Sequence, residues 1–150
     1  MVRYFWYARA MKYATLTDTT YALRLERAED IHSVVQQFCA THSIANAAIE
    51  GIGSVRSPTL AHYSIETKHF TNKQFDGIYE VASLLGNLSL VDGQPLAHLH
   101  ATISDAKMRT FGGHLVTGEC SATLEILIHA YPSSYTKSHS EAIGLIVWDF

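Results

Sequence analysis

Apolar and polar positions alternate along "TYALRLE", Thr20 to Glu26, and this period of two predicts a strand. The period then changes. Ile31, Val34, Val35, Phe38 and Cys39 recur at i, i+3, i+4, i+7 and i+8, which is one stripe of a helix. Glu29 and Asp30 stand where its first turn should begin, and negative charge there suits the helix dipole. Cys39 lies on the buried stripe, so packing is its expected role, while His32 and His42 read as surface helix residues.

After residue 44 the period returns to two. "ANAAIEGIGSV", "TLAHYSIE", "YEVASLLGNLSLV", "PLAHLHATIS", "ATLEILIHA" and "AIGLIVWDF" all read as strands. Gly51-Ile52-Gly53 suggests a bulge or a close backbone contact, and Gly86 marks a bend. The glycine spacing and the lack of a following helix exclude a phosphate loop. "VDGQP" and "FGGH" carry the residues of turns. The expectation is a single α+β domain over residues 1–150: a curled antiparallel sheet of about seven strands with one main covering helix. Residues 1–10 would form a loose N-terminal extension if Met11 is the start.

Composition narrows the function classes. The chain has 150 residues, enough for one core. Only 17% are charged, against roughly 25% in typical domains, so part of the surface is a candidate for self-association. A net charge of −3 with no basic run lacks the positive footprint of nucleic-acid binders. Two cysteines, Cys39 and Cys120, make no disulfide framework and read as free thiols. The N-terminal stretch is broken by Arg3, Arg9 and Lys12, and nothing approaches the ~20 apolar residues of a membrane span. The expected location is the cytoplasm, with no membrane partner.

The chemistry concentrates in "HLHATISDAKMRTFGGHL". By strand alternation Leu99, Ala101 and Ile103 face the core. His98, His100 and Thr102 face the other way, with the two histidine Cβ atoms ~6.5 Å apart. A turn at Gly112-Gly113 would return His114 to that pair. Three imidazoles with an open fourth position describe a catalytic or ligand-binding zinc site. The alternative is three ordinary strand histidines. Glu80 shares a predicted face with Ala82 and Leu84. It is a candidate to orient a ligand imidazole or act as a base, or else to pair with an arginine. Asp92 and Asp105 read as turn residues, and His62, His69, His129 and His139 carry no assigned role.

These pieces resemble the plants-and-prokaryotes conserved (PPC) domain. The matching stretches are "AEDI" with its helix, "ANAAIEGIGSV", "YEVASLLGNLSLVDGQPLAHLHATISD", "GGHLVTGECSATLEILI" and "GLIVWDF". The run "LAHLHATISD" followed by "GGHL" resembles the prokaryotic branch. The resemblance implies an α+β homotrimer, with zinc or another divalent metal at His98, His100 and His114. Plant members carry AT-hooks and a Gly-Arg-Phe-Glu-Ile-Leu stretch. This chain has no Arg-Gly-Arg-Pro, and Gly77-Ile78-Tyr79-Glu80-Val81-Ala82 keeps the glutamate but has Ile78 for the arginine.

Three readings follow. The first is a trimeric metal-binding protein that senses or acts on a small molecule, and the site should then release its metal below about pH 6, as histidines protonate. The second is a DNA-binding regulator, a label many relatives carry, although nucleic-acid binding is not expected of the isolated chain. The third is an interaction module whose histidines only pack.

Overall fold

The structure is a computed structural model and describes residues 10–132 and 135–150. Apart from Ala10, the expected N-terminal extension lies outside the described residues. The chain forms β1 (Lys12–Thr17), β2 (Thr20–Leu25), α1 (Ile31–Thr41), β3 (Ala47–Ser64), β4 (His69–Gln74), β5 (Ile78–Val91), β6 (Gln94–Ser104), β7 (Thr110–Ala130), β8 (Thr136–Ser140) and β9 (Leu145–Asp149).

Nine strands replace the expected seven, for two physical reasons. β1 and β4 are exposed along their whole length and β8 nearly so, which leaves no apolar alternation to read. In the opposite direction, "ANAAIEGIGSV" and "TLAHYSIE" fuse into the 18-residue β3, and "ATLEILIHA" is the end of the 21-residue β7.

The nine strands make one curled sheet, with β1-β2-β7-β3-β5-β8-β9 along its main path, β4 on β3, and β6 between β5 and β7. All pairings are antiparallel except a single parallel bridge, Leu90 to Thr136, between β5 and β8. β7 is the spine. Its first part pairs with β6, and its remainder lies between β3 and β2. One buried cluster fills the inside of the curl. It joins Ile31, Val35, Phe38 and Cys39 of α1 to Leu23 and Leu25 of β2, Leu99 and Ile103 of β6, and Leu124, Ile126 and Ile128 of β7. Asp30 caps the helix, its side chain accepting from the Ser33 N–H at 2.8 Å.

Glycines let strands cross closely. A Cβ on Gly53 (φ 150°) would stand 2.3 Å from the Thr123 carbonyl oxygen, and the register shifts on both sides of β3 around this residue, as the bulge reading requires. A Cβ on Gly86 would stand 2.2 Å from the carbonyl oxygen of His98. No helix among the described residues is long and apolar enough to cross a membrane.

Candidate metal centre

Two turns set the site. Asp92 and Gly93 both have positive φ, 50° and 77°, as a two-residue type I′ hairpin needs, and this turn fixes β6 against β5. The second turn is not at Gly112-Gly113. It lies at Asp105–Arg109, where the Asp105 carboxylate accepts from the N–H groups of Lys107 (2.8 Å) and Arg109 (3.0 Å) and from the Arg109 guanidinium. The two glycines are inside β7, opposite Thr102 and Ala101, and Gly113 admits the Ala61 backbone of β3. The expected return of His114 therefore occurs through strand register: His100 and His114 are direct cross-strand partners.

β6 follows the expected alternation. Ala97, Leu99, Ala101 and Ile103 are buried, and His98 and His100 stand on the outer face. The β6–β7 ladder stops at the His100–His114 pair, where β7 turns to β3 through Leu115 and Leu60. Helix α1 covers the gap between the diverging strands. Gln36 Oε1 accepts from the Ala97 N–H at 3.1 Å, and His32 Nε2 donates to the Leu115 carbonyl at 2.9 Å. His32 is thus half-buried at the edge of the site. His42 is also half-buried, stacked on Phe38 with ring centres 4.0 Å apart. Neither is the plain surface residue that the helical stripe suggested.

The three imidazoles form a nearly equilateral triangle. Ring centres are 5.1 Å apart for His98–His100, 5.1 Å for His98–His114 and 5.4 Å for His100–His114. One nitrogen from each lies within 4.8 Å of the others. The centre of an imidazole bonded at 2.0–2.1 Å sits ~3.2 Å from its ion, and three tetrahedral positions at that radius are about 5.2 Å apart. The triangle therefore fits an ion such as zinc after small ring rotations. Among the described residues, no ring nitrogen of these three histidines has a hydrogen-bond partner, whereas those of His32, His42 and His129 do.

Electrostatics favour the neutral form of His98 and His114. Burial, then the positive charge of Lys137 and the neighbouring imidazoles, push the pKa of His98 down to about 4. Burial first, then His100 and His32, lower that of His114. Neutral imidazoles are the metal-binding form. Phe70 lies beside His114, with ring centres 5.6 Å apart, and gives the site an apolar wall.

Glu80 stands elsewhere. A register shift between Val81 and Ser83 breaks the expected face, so Leu84 is buried while Glu80 and Ala82 are exposed. Glu80 pairs with Ser104, four residues along β6 from His100, or ~13 Å. That distance leaves it no contact with the imidazoles. Cys39 and Cys120 are both buried, and burial raises their pKa values to about 12 and about 11. His62, His69, His129 and His139 lie outside the triangle.

A curled sheet with one inner helix and three imidazoles converging on its outer face defines the class of the molecule. The Plants and Prokaryotes Conserved (PCC, or PPC) domain model matches residues 14–132, and the chain belongs to that family. It is similar to a plant- and prokaryote-conserved protein of Pyrococcus horikoshii, at 29% identity and a TM-score of 0.82 over 100% of this chain and 98% of that one. A metal-containing protein of Archaeoglobus fulgidus matches at 26% identity and a TM-score of 0.81, covering 95% and 99% of the two chains. A Bacteroides thetaiotaomicron protein with a provisional DNA-binding assignment matches at 25% identity and a TM-score of 0.90, also over 95% and 99%. A search of curated proteins found no significant match.

Proposed function

We propose that this chain is a metal-binding PPC protein in which His98, His100 and His114 hold one divalent ion, with zinc the first expectation. Water or a small molecule would take the fourth position, to be sensed or transformed there. The observation that carries this reading is the triangle itself: three imidazoles at tetrahedral spacing, none of them hydrogen-bonded. His32, His42 and His129, by contrast, are each tied to a carbonyl or carboxylate and do not converge on a shared point. The metal-containing relative from Archaeoglobus fulgidus supports the same reading. Imidazole also suits copper, iron and nickel, and availability favours zinc.

Elemental analysis of untagged protein tests it. Wild type should carry about one ion per chain. His98→Ala and His100→Ala should lose it while keeping the circular dichroism of the fold, because Leu99, Ala101 and Ile103 carry the core side of β6. His62→Ala should retain it. Metal-free wild type after incubation with zinc at neutral pH would sink the proposal. The provisional DNA-binding assignment of the Bacteroides relative supports a second reading, which the net charge of −3 opposes.

Self-association belongs to the same proposal. Ile52, Leu85 and Tyr13 are 59%, 56% and 53% exposed and line one groove on the outer face of the sheet. Leu85 is the cross-strand partner of His100, so this apolar face adjoins the imidazoles. A homotrimer that covers it would account for the low charged fraction.

A further inference from the structure

Asn87 stands opposite His98 in the β5–β6 register, on the same outer face. Its side-chain oxygen accepts a 2.6 Å hydrogen bond from Lys137 Nζ. Lys137 comes from β8, far along the chain, and is only 8% exposed. Its delivery is specified. The buried Asn46 side chain bonds both backbone groups of Tyr135, donating to the carbonyl at 2.8 Å and accepting from the N–H at 2.9 Å, and so pins the start of the segment that carries Lys137.

A buried ammonium normally pairs with a carboxylate. Lys137 forms no ion pair among the described residues. Asn87 takes one of its three donors, and among the described residues no other hydrogen bond engages the remaining two. The carboxylates around it are committed or distant. Glu50, two strands from His100 on the outer face, pairs with His129 at 3.1 Å. Asp149, opposite Thr136 on β9, is exposed and forms no ion pair among the described residues. Glu80, on β5, is opposite Ser104, four residues along β6 from His100. The Asn87 bond nevertheless holds the Lys137 ammonium at the strand position directly opposite His98.

We propose that Lys137 makes the three-histidine centre selective for a small oxyanion of the carboxylate or carbonate class, bound at the open metal position and hydrogen-bonded to the Lys137 ammonium. This rests on the metal reading above. Three neutral imidazoles leave a divalent ion its full charge, and the ammonium beside it adds one more. A partly buried site with that excess and no carboxylate among its ligands is unfavourable until an anion enters. The anion neutralises the ion and satisfies a free lysine donor in one placement, and Phe70 offers an apolar surface to its carbon end.

The test loads wild type, Lys137→Met, Lys137→Gln and Lys137→Arg with cobalt(II), counts metal per chain, and titrates acetate against the visible cobalt spectrum. Imidazole serves as the uncharged comparison ligand. Both uncharged variants should take up cobalt at least as well as wild type, since a neighbouring positive charge is gone. Their acetate affinity should fall about tenfold or more, the scale of a lost charge-assisted hydrogen bond. Imidazole affinity should be unchanged, and Lys137→Arg should stay within about threefold of wild type for acetate. Cobalt uptake with equal acetate affinity in wild type and the uncharged variants would overturn the role of Lys137 alone. Failure of wild type to take up cobalt or zinc would overturn the metal reading, and this inference with it.

Discussion

His98 carries the clearest consequence of the site at the scale of one residue. In the unfolded chain its imidazole titrates near 6.5, while in the fold burial and Lys137 hold it at about 4. The unfolded state therefore binds a proton first as pH falls. Metal-free protein should be at full stability above about pH 6.5, lose stability between there and about pH 4, and level off below. For a half-exposed ring the loss is on the order of 1–2 kcal/mol after solvent screening. Urea titrations of metal-free wild type and His98→Gln should show it, the variant lacking this component. The same depression moves metal release downward from the pH of about 6 that unperturbed histidines imply. Elemental analysis after dialysis across that range checks the shift. The outward pairing of His98 and His100 was legible in the alternation of β6, and so was the return of His114, although by register and not by a glycine turn. His32 and Lys137 were not legible, because each meets the cluster only where separate strands diverge or run side by side.

Among the elements, β5 and β6 are held in close approach by an absent side chain. Gly86→Ala places a methyl 2.2 Å from the His98 carbonyl oxygen, so the strands must part. The expected loss is on the order of 2–3 kcal/mol in urea unfolding, with weaker metal uptake as His98 shifts. Gly112→Ala should change stability by less than about 1 kcal/mol, because the nearest atom to its added methyl is 3.7 Å away. Equal losses in the two variants would contradict the register described for β7. Asp30→Ala should cost about 1 kcal/mol by removing the α1 cap. The helix was legible because its whole apolar stripe faces one core. The long strands were legible where one face is buried, and the exposed β1, β4 and β8 show no such contrast. The break at Val81–Ser83 was invisible because a bulge changes which face a residue occupies without changing composition.

For the whole molecule, light scattering at micromolar concentration should report three times the 16.7 kDa chain mass, and a monomer mass would count against the trimer. Duplex DNA should bind no tighter than the nonspecific range of ~10⁻⁴–10⁻⁶ M at physiological salt, and a sequence-dependent nanomolar shift in a gel assay would reverse that expectation. β7 has a consequence for synthesis. It is the spine of the sheet, yet it leaves the ribosome well after the β2 and β3 strands that it joins. Until residue 130 has emerged, β2 and β3 lack the neighbour that separates them, and their edges stay open to other nascent chains. His114 belongs to the same late strand, so no triad exists to capture an ion before β7 has docked. Acquisition of an ion by the proposed centre would then mark a chain whose β7 has docked against β6.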